Sequence, residues 1–172
     1  MEEIIRIPQE RIGALIGPSG SVKRKIETQT KAKMEIDSHE GEVVLIGEGE
    51  EFFKAMDIVK AIARGFSPKR AFTLIKDDYL LKVIDITEFT GKNSSAQKAK
   101  KGRVIGREGK AREEIEKRTH CLISVYGKTV AIIGLAGEIE NAEEAVKLLL
   151  LGAKHDTMEN FLHGGRRERF EL

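Results

Sequence analysis

The chain repeats itself. Set against its own sequence at an offset of 89, Ile16-Gly17 falls on Ile105-Gly106, Gly20 on Gly109, Ile26-Glu27 on Ile115-Glu116 and Thr30 on Thr119, while Met34 and Ile36 meet Ile123 and Val125. Beyond that point the offset is 87: Ile46-Gly47 meets Ile133-Gly134, Ala55 meets Ala142, Val59 meets Val146 and Gly65 meets Gly152. The second copy therefore has the shorter hairpin turn. Whatever one copy folds into the other must also, and in a chain of 172 residues each copy closes only a modest core.

The unit has a readable order. Residues 4–8 (IIRIP) and 79–87 (YLLKVIDIT) alternate apolar and polar side chains, as half-buried strands do. A short helical turn and a glycine loop follow. From Ser19 and from Gly109 the spacing becomes helical, with Val22 and Ile26, and Ala111 and Ile115, on one face. AKMEID and CLISVY alternate again, glycine turns at Gly41 and Gly127 follow, and VVLIG and VAIIG complete the hairpins. Helices over 50–64 and 138–151, acid-rich at their starts, end at Gly65 and Gly152. Strand, helix, helix, strand, strand, helix describes an α+β unit: a three-stranded antiparallel sheet packed against three helices.

These signals divide the chain into a first domain at 1–66, a helical linker at 67–78, a second domain at 79–153 and a C-terminal helix and tail at 154–172. Ser67 and Pro68 mark the linker helix as N-cap and first residue, and the helix runs into Ile75. The second copy carries a polar, lysine-rich insertion at 89–101, expected to be mobile without a ligand. In the tail, Asp156 or Thr157 caps a helix through Met158, Phe161 and Leu162, which Gly164 and Gly165 should stop before RRERFEL.

A net charge of +2 hides an uneven distribution. Residues 1–75 balance twelve bases with twelve acids, whereas 92–112 holds eight bases and one acid, Glu108. That basic run surrounds the second glycine loop. Two glycines separated by two residues and opening a helix expose backbone amides at its positive end and remove bulk where an anion must approach. The phosphates of an extended nucleic acid strand suit such a loop, with the bases over the neighbouring helix and sheet. Arg103, Arg107, Lys110 and Arg112 flank the second loop; Arg11, Lys23, Arg24 and Lys25 flank the first, whose Pro18 has no amide to offer.

Other chemistries find no support. GREGKA lacks the spacer and the hydroxyl residue of a nucleotide-binding P-loop. His39, His120, His155 and His163 are scattered, and Glu113, Glu114 and Glu116 lie along one helix as surface acids. No catalytic residue, metal or cofactor is expected. A single cysteine, Cys121, reads as a small buried hydrophobe. No apolar run approaches the ~20 residues of a membrane span, and the acidic start is unlike a signal peptide, so a cytoplasmic protein with no membrane partner is expected. Nothing such as a heptad run calls for self-association, which leaves a monomer as the expectation.

The stretches IGPSGSVKRKIETQTKAKMEI and VIGREGKAREEIEKRTHCLISV resemble the core of KH domains, in the eukaryotic-type (type I) arrangement. The resemblance implies an RNA-binding protein that grips single-stranded RNA with Gly17, Pro18, Ser19 and Gly20, helped by Lys23 and Arg24, and with Gly106, Arg107, Glu108 and Gly109, helped by Arg103, Lys110 and Arg112. It makes Ile16, Val22, Ile26, Met34 and Ile36, with Ile105, Ala111, Ile115, Ile123 and Val125, candidates for the base groove, some of which must be core instead. The second domain is expected to bind RNA more strongly. The linker, the insertion and the tail resemble more narrowly the archaeal form of a family of small-subunit ribosome assembly factors. That implies binding near the 3′ end of small-subunit ribosomal RNA in a pre-ribosomal particle, beside a PIN-domain endonuclease. Two alternatives stand: a protein-interaction scaffold on degenerate KH folds, and a general regulator of messenger RNA.

Overall fold

A computed structural model of the chain describes residues 1–168, and RFEL at 169–172, with the aromatic Phe170, lies outside the described residues. The chain forms two units that meet at Tyr79. The first contains β1 (Glu2–Arg6), α1 (Gln9–Ile16), a 3-10 turn (Pro18–Gly20), α2 (Ser21–Thr30), β2 (Lys33–Asp37), β3 (Glu42–Ile46) and α3 (Gly49–Ala63). It ends in α4 (Pro68–Ala71) and a second 3-10 turn (Phe72–Ile75). The second unit follows the same order: β4 (Tyr79–Asp85), α5 (Thr87–Thr90), α6 (Ser94–Ile105), a 3-10 turn (Arg107–Gly109), α7 (Lys110–Thr119), β5 (Leu122–Tyr126), β6 (Thr129–Leu135), α8 (Ala136–Leu150) and α9 (His155–Glu168).

Each unit is a three-stranded antiparallel sheet with helices against it, ordered β1-β3-β2 and β4-β6-β5. The third strand in sequence is central because a hairpin ties it to the second strand while its other edge takes the first. In the first unit Ile5 and Ile36 both pair with Val43, and Met34 pairs with Leu45. In the second, Ile123 pairs with Ile132 and Val125 with Val130. Alternation turns these rows toward the helices. Ile5, Met34, Val43 and Leu45 are buried, as are Leu15, Ile26, Phe52, Ile58 and Ile62 of the helices; Ile123, Val130 and Ile132 share one core with Ile84, Ile86, Val104, Ile115, Val146 and Leu149. Each such aliphatic side chain contributes roughly 1.5–3 kcal/mol by burial.

The turn from second helix to second strand is built alike in both units. Thr30 and Thr119 each donate a hydroxyl to the carbonyl four residues back, at 2.7 Å, and accept an amide from Ala32 or Cys121 at 3.3 Å. Lys31 and His120 sit between at a left-handed φ of 56°. Glu27 and Glu116 accept the amides of Met34 and Ile123 at 2.9 and 3.0 Å, which fastens helix to strand. These bonds explain why Thr and Glu recur at the repeat spacing. Cys121 is buried, and that burial raises its thiol pKa above the ordinary range.

Two expectations need correction. The insertion at 89–101 is helical: α5 covers its start, and from Ser94 the chain forms the first two turns of α6. Asn93 caps α6 by accepting the Ala96 amide at 3.0 Å, and the buried Gln97 donates to the Gly91 carbonyl at 2.9 Å. Ala, Lys and Gln are strong helix formers, so a good cap suffices to draw this polar stretch into α6. Likewise α9 runs through Gly164 and Gly165 to Glu168, anchored by Met158 and Leu162 in the second core. Tertiary packing there outweighs the helix cost of two glycines.

In the linker, the Ser67 hydroxyl accepts the Arg70 amide at 3.3 Å. Ala71 and Leu74 are buried, and the Lys25 ammonium lies 4.2 Å from the Phe72 ring centroid.

Candidate nucleic-acid interface

The two glycine loops differ in sequence but share one backbone. Gly17 and Gly106 have φ/ψ of 73°/174° and 74°/176°; Ser19 and Glu108 have 52°/30° and 56°/26°; Gly20 and Gly109 have 74°/17° and 76°/10°. Close approach fixes the first glycine. A Cβ at Gly17 would stand 2.4 Å from Val22 Cγ2, and one at Gly106 would stand 2.6 Å from Ala111 Cβ, so the helix start packs directly on the bare backbone. The loop closes through Gly20 N–H to Gly17 O at 3.1 Å and Gly109 N–H to Gly106 O at 3.2 Å. The residues between, Pro18 and Ser19 or Arg107 and Glu108, stand out exposed. No side chain caps α2 or α7 at its N-terminus, so the positive end of each helix dipole opens beside its loop.

A second pair of glycines completes the surface, and sequence reading missed it. Gly13 in α1 and Gly102 in α6 also stand 89 apart, four residues before the first loop glycine. Both are exposed, and a Cβ on either would meet nothing within 4 Å. Neither positive φ nor internal packing accounts for them. Their spacing was the available signal: the same offset that aligned the loops aligns these.

The basic residues divide into three kinds. Arg107 is exposed at the tip of the second loop; Lys110, also exposed, stands 3.9 Å from Glu108. Lys23 and Arg112 are half-buried and lie 4.0 Å from Glu27 and Glu116 in their own helices, and Arg24 Nη1 donates to the Ser19 carbonyl at 2.6 Å. Arg103 corrects an expectation. Its Nε donates to the Leu149 carbonyl at 3.1 Å and its Nη2 to the Ala153 carbonyl, so its guanidinium closes the C-terminal end of α8 instead of standing out beside the loop. Arg11 does the same work for α3, donating from Nε to Ile62 O at 2.8 Å and from Nη2 to Phe66 O at 2.7 Å.

The apolar candidates divide as well. Ile26, Met34, Ala111, Ile115 and Ile123 are between 0 and 6% exposed and belong to the cores, because each faces its sheet or helix layer from within. Ile16, Val22, Ile36 and Val125 are half-buried and Ile105 is exposed, so these five can line a groove beside the loops.

The edge strands β2 and β5 differ in charge. The outer edge strand of the first unit, β2, shows Lys33, Glu35 and Asp37, and its hairpin adds Glu40 and Glu42. Asp37 accepts the amides of His39 and Glu40 at 2.9 and 3.1 Å, which fixes that acidic turn. In β5 there is no charge at all, and the hairpin contributes Lys128. Behind the second loop a cleft of about 520 Å³ lies between α7 and α9, lined by Arg107, Lys110, Glu114, Lys117, His155 and Glu159. Arg118 donates to Glu114 at 2.8 Å and holds its carboxyl below the ordinary range. Among the described residues no three His, Cys, Asp or Glu side chains gather to hold a metal ion, and no helix is long and apolar enough to cross a membrane.

Comparison with known proteins gives matches to both units. A model described as a KH domain matches residues 2–61, and one described as the eukaryotic-type KH domain, type I, matches residues 80–167. A KH domain-containing protein of Methanocaldococcus jannaschii is 45% identical, over 99% of this chain and 78% of that protein. The pre-rRNA-processing protein PNO1 of Debaryomyces hansenii is 31% identical over 58% of this chain, a region that makes up 40% of the yeast protein. Among solved structures, a chain in the a/eIF2alpha-aDim2p-rRNA complex from Pyrococcus horikoshii superposes with a TM-score of 0.89 at 41% identity, covering 100% of this chain and 96% of that one.

Proposed function

Because the chain belongs to the KH-domain family of eukaryotic type, in the branch that includes PNO1 and Dim2p, we propose that it binds single-stranded RNA and serves in small-subunit ribosome assembly. The 3′ region of small-subunit ribosomal RNA is its target, in a pre-ribosomal particle, and a PIN-domain endonuclease is the partner that cuts there. This chain holds the strand and makes no cut itself. It acts as a monomer in the cytoplasm.

The carrying observation is the surface built by Gly102, Gly106, Arg107 and Gly109: a bare helix face, an exposed loop and an uncapped helix start in sequence. A loop of this type clamps about four nucleotides of backbone. Phosphates meet Arg107, Lys110 and the first-turn amides of α7, while bases enter beside Ile105 and Val125. Gly102 lets them approach the α6 backbone. In the first unit the same geometry carries Pro18 for Arg107 and an acidic edge for a neutral one, so we assign the main RNA contact to the second unit. The rRNA bound in the Pyrococcus complex and the pre-rRNA-processing name of the yeast relative support this reading.

The test is a pair of loop variants. Arg107→Asp with Glu108→Asp replaces a cation by a carboxylate on the phosphate path and keeps the acid beside it, and Pro18→Asp with Ser19→Asp adds two carboxylates in the first unit; all four positions are exposed, and Asp tolerates the left-handed conformation at the second site. The first variant should weaken single-stranded RNA binding at least tenfold, or about 1.4 kcal/mol, and the second should weaken it less. If neither does, the chain is a protein scaffold. Crosslinking in cells followed by sequencing of bound RNA reports the target, and enrichment of messenger RNA over the small-subunit 3′ region would overturn the assembly role.

A further inference from the structure

Helix α6 carries more than its loop needs. Between Glu88 and Glu108 there is no acid, yet Lys92, Lys98, Lys100 and Lys101 stand in that interval, and none has a carboxylate partner among the described residues. Gln97 and Val104 are the buried positions of α6, and they define its inner face. At 3.6 residues per turn, Ser94, Lys98, Lys101 and Ile105 then share one flank, while Lys100 and Arg103 fall on the other, the flank from which Arg103 reaches Leu149 and Ala153. The stripe runs straight into Ile105 and the loop. With a rise of about 1.5 Å per residue, Lys101 lies roughly 6 Å and Lys98 roughly 10 Å along the axis from Ile105. Like charges three residues apart repel, and among the described residues no carboxylate pairs with them.

The first unit provides the control. At the repeat offset Lys98 corresponds to Gln9 and Lys101 to the buried Ile12, and α1 begins only at Gln9. The lysine pair is therefore absent from the ordinary unit: the same two helical positions carry a neutral and an apolar side chain there.

We propose that the Lys98–Lys101 flank of α6 is a second phosphate track, which binds the continuation of the single RNA strand beyond the nucleotides clamped by the Gly106–Gly109 loop. This rests on the second unit's role as an RNA binder. The lysines supply charge and no base recognition, so the track lengthens the footprint without changing sequence preference. Bare Gly102 and small Ala99 beside the stripe keep that side of the helix low enough for a strand to lie along it.

The experiment compares wild type with Lys98→Ala/Lys101→Ala in the full chain, against a tetranucleotide and a decanucleotide of one composition over a salt series. Circular dichroism and Tm of the variant should be unchanged or improved, since repulsion is relieved. The tetranucleotide should bind both proteins equally, while the decanucleotide loses at least fivefold in the variant and its log K against log salt slope falls by about 1.4, or 0.7 for each lost contact. Removing two exposed lysines elsewhere, Lys69→Ala/Lys76→Ala, should cost less than twofold at either length. Equal affinity of wild type and variant for the decanucleotide overturns the track, as does an equal loss at both lengths. Wild type that binds neither RNA overturns the RNA-binding reading itself, and the track with it.

Discussion

Glycine in the interior of an exposed helix costs about 0.5–1 kcal/mol relative to alanine, and this chain bears that cost at Gly13 and again at Gly102. With no atom within 4 Å of the missing Cβ, Gly102→Ala should stabilise the second unit by about that amount while weakening RNA binding severalfold. Urea denaturation and fluorescence anisotropy check the two halves of that outcome, and a variant that is more stable with unchanged affinity would show Gly102 to be incidental. A quite different residue is Asp57 in α3. Burial raises its carboxyl pKa above the ordinary range, and the charge of Lys60 offsets this only in part. A raised acid binds its proton more tightly when folded, so its unfavourable contribution is absent at acid pH, sets in as pH rises past the unfolded-state value and is complete once pH exceeds the raised folded one. Asp57→Asn should therefore raise the urea midpoint at pH 7 and leave it nearly unchanged at pH 3. The loop residues were legible in the sequence because a repeat marks them twice. Ile26, Ile115, Met34 and Ile123 were not separable from groove residues, since groove and core both take apolar side chains at the same period, and only the layer facing them decides.

Elements show where linear reading stops. Strand and helix order followed from periodicity and turn glycines, but the role of Arg103 depended on carbonyls 46 and 50 residues further along the chain. The clamp is one that both units need, and they reach it from different turns: Arg11 stands six residues before its loop glycine, Arg103 three. No alignment of the copies pairs these arginines. The carbonyls they hold, Ile62 with Phe66 and Leu149 with Ala153, do pair at the offset of 87. Hydrogen bonds from a charged donor are worth about 1.5–3 kcal/mol each, and losing them leaves helix-end carbonyls without partners. Arg103→Met should lower the unfolding free energy by about 2 kcal/mol, measured by urea titration. RNA affinity, measured well below the new Tm, should change less than twofold. A tenfold loss of affinity with full stability would return Arg103 to the RNA surface. The order of the insertion was missed for a related reason: its polarity suggested a mobile segment, while the Asn93 cap and the buried Gln97, which hold it helical, act through neighbours.

The molecule as a whole uses one fold twice with unequal charge. Its first loop matches the second within a few degrees, so backbone shape does not separate the two units as RNA binders. What differs is the field: Glu35, Asp37, Glu40 and Glu42 border the first unit's edge strand, against an uncharged β5 and Lys128 in the second. Carboxylates near a phosphate path act over roughly a Debye length, about 8 Å at physiological salt, and repel the strand before it seats. If that field is what silences the first unit, reversing it should awaken the loop. In the Arg107→Asp/Glu108→Asp background, where the second loop no longer contributes, Glu35→Lys with Glu40→Lys should raise single-stranded RNA affinity about fivefold at 0.1 M salt, close to 1 kcal/mol. Asp37 is left in place because it holds the hairpin turn. The gain should disappear near 1 M salt, where the Debye length falls to about 3 Å. Adding Pro18→Asp/Ser19→Asp should abolish it at low salt too, since the awakened contact must pass through that loop. A gain that survives this last change would mean the new lysines bind RNA by themselves, and the silence of the first unit would then lie in Pro18 and its missing amide.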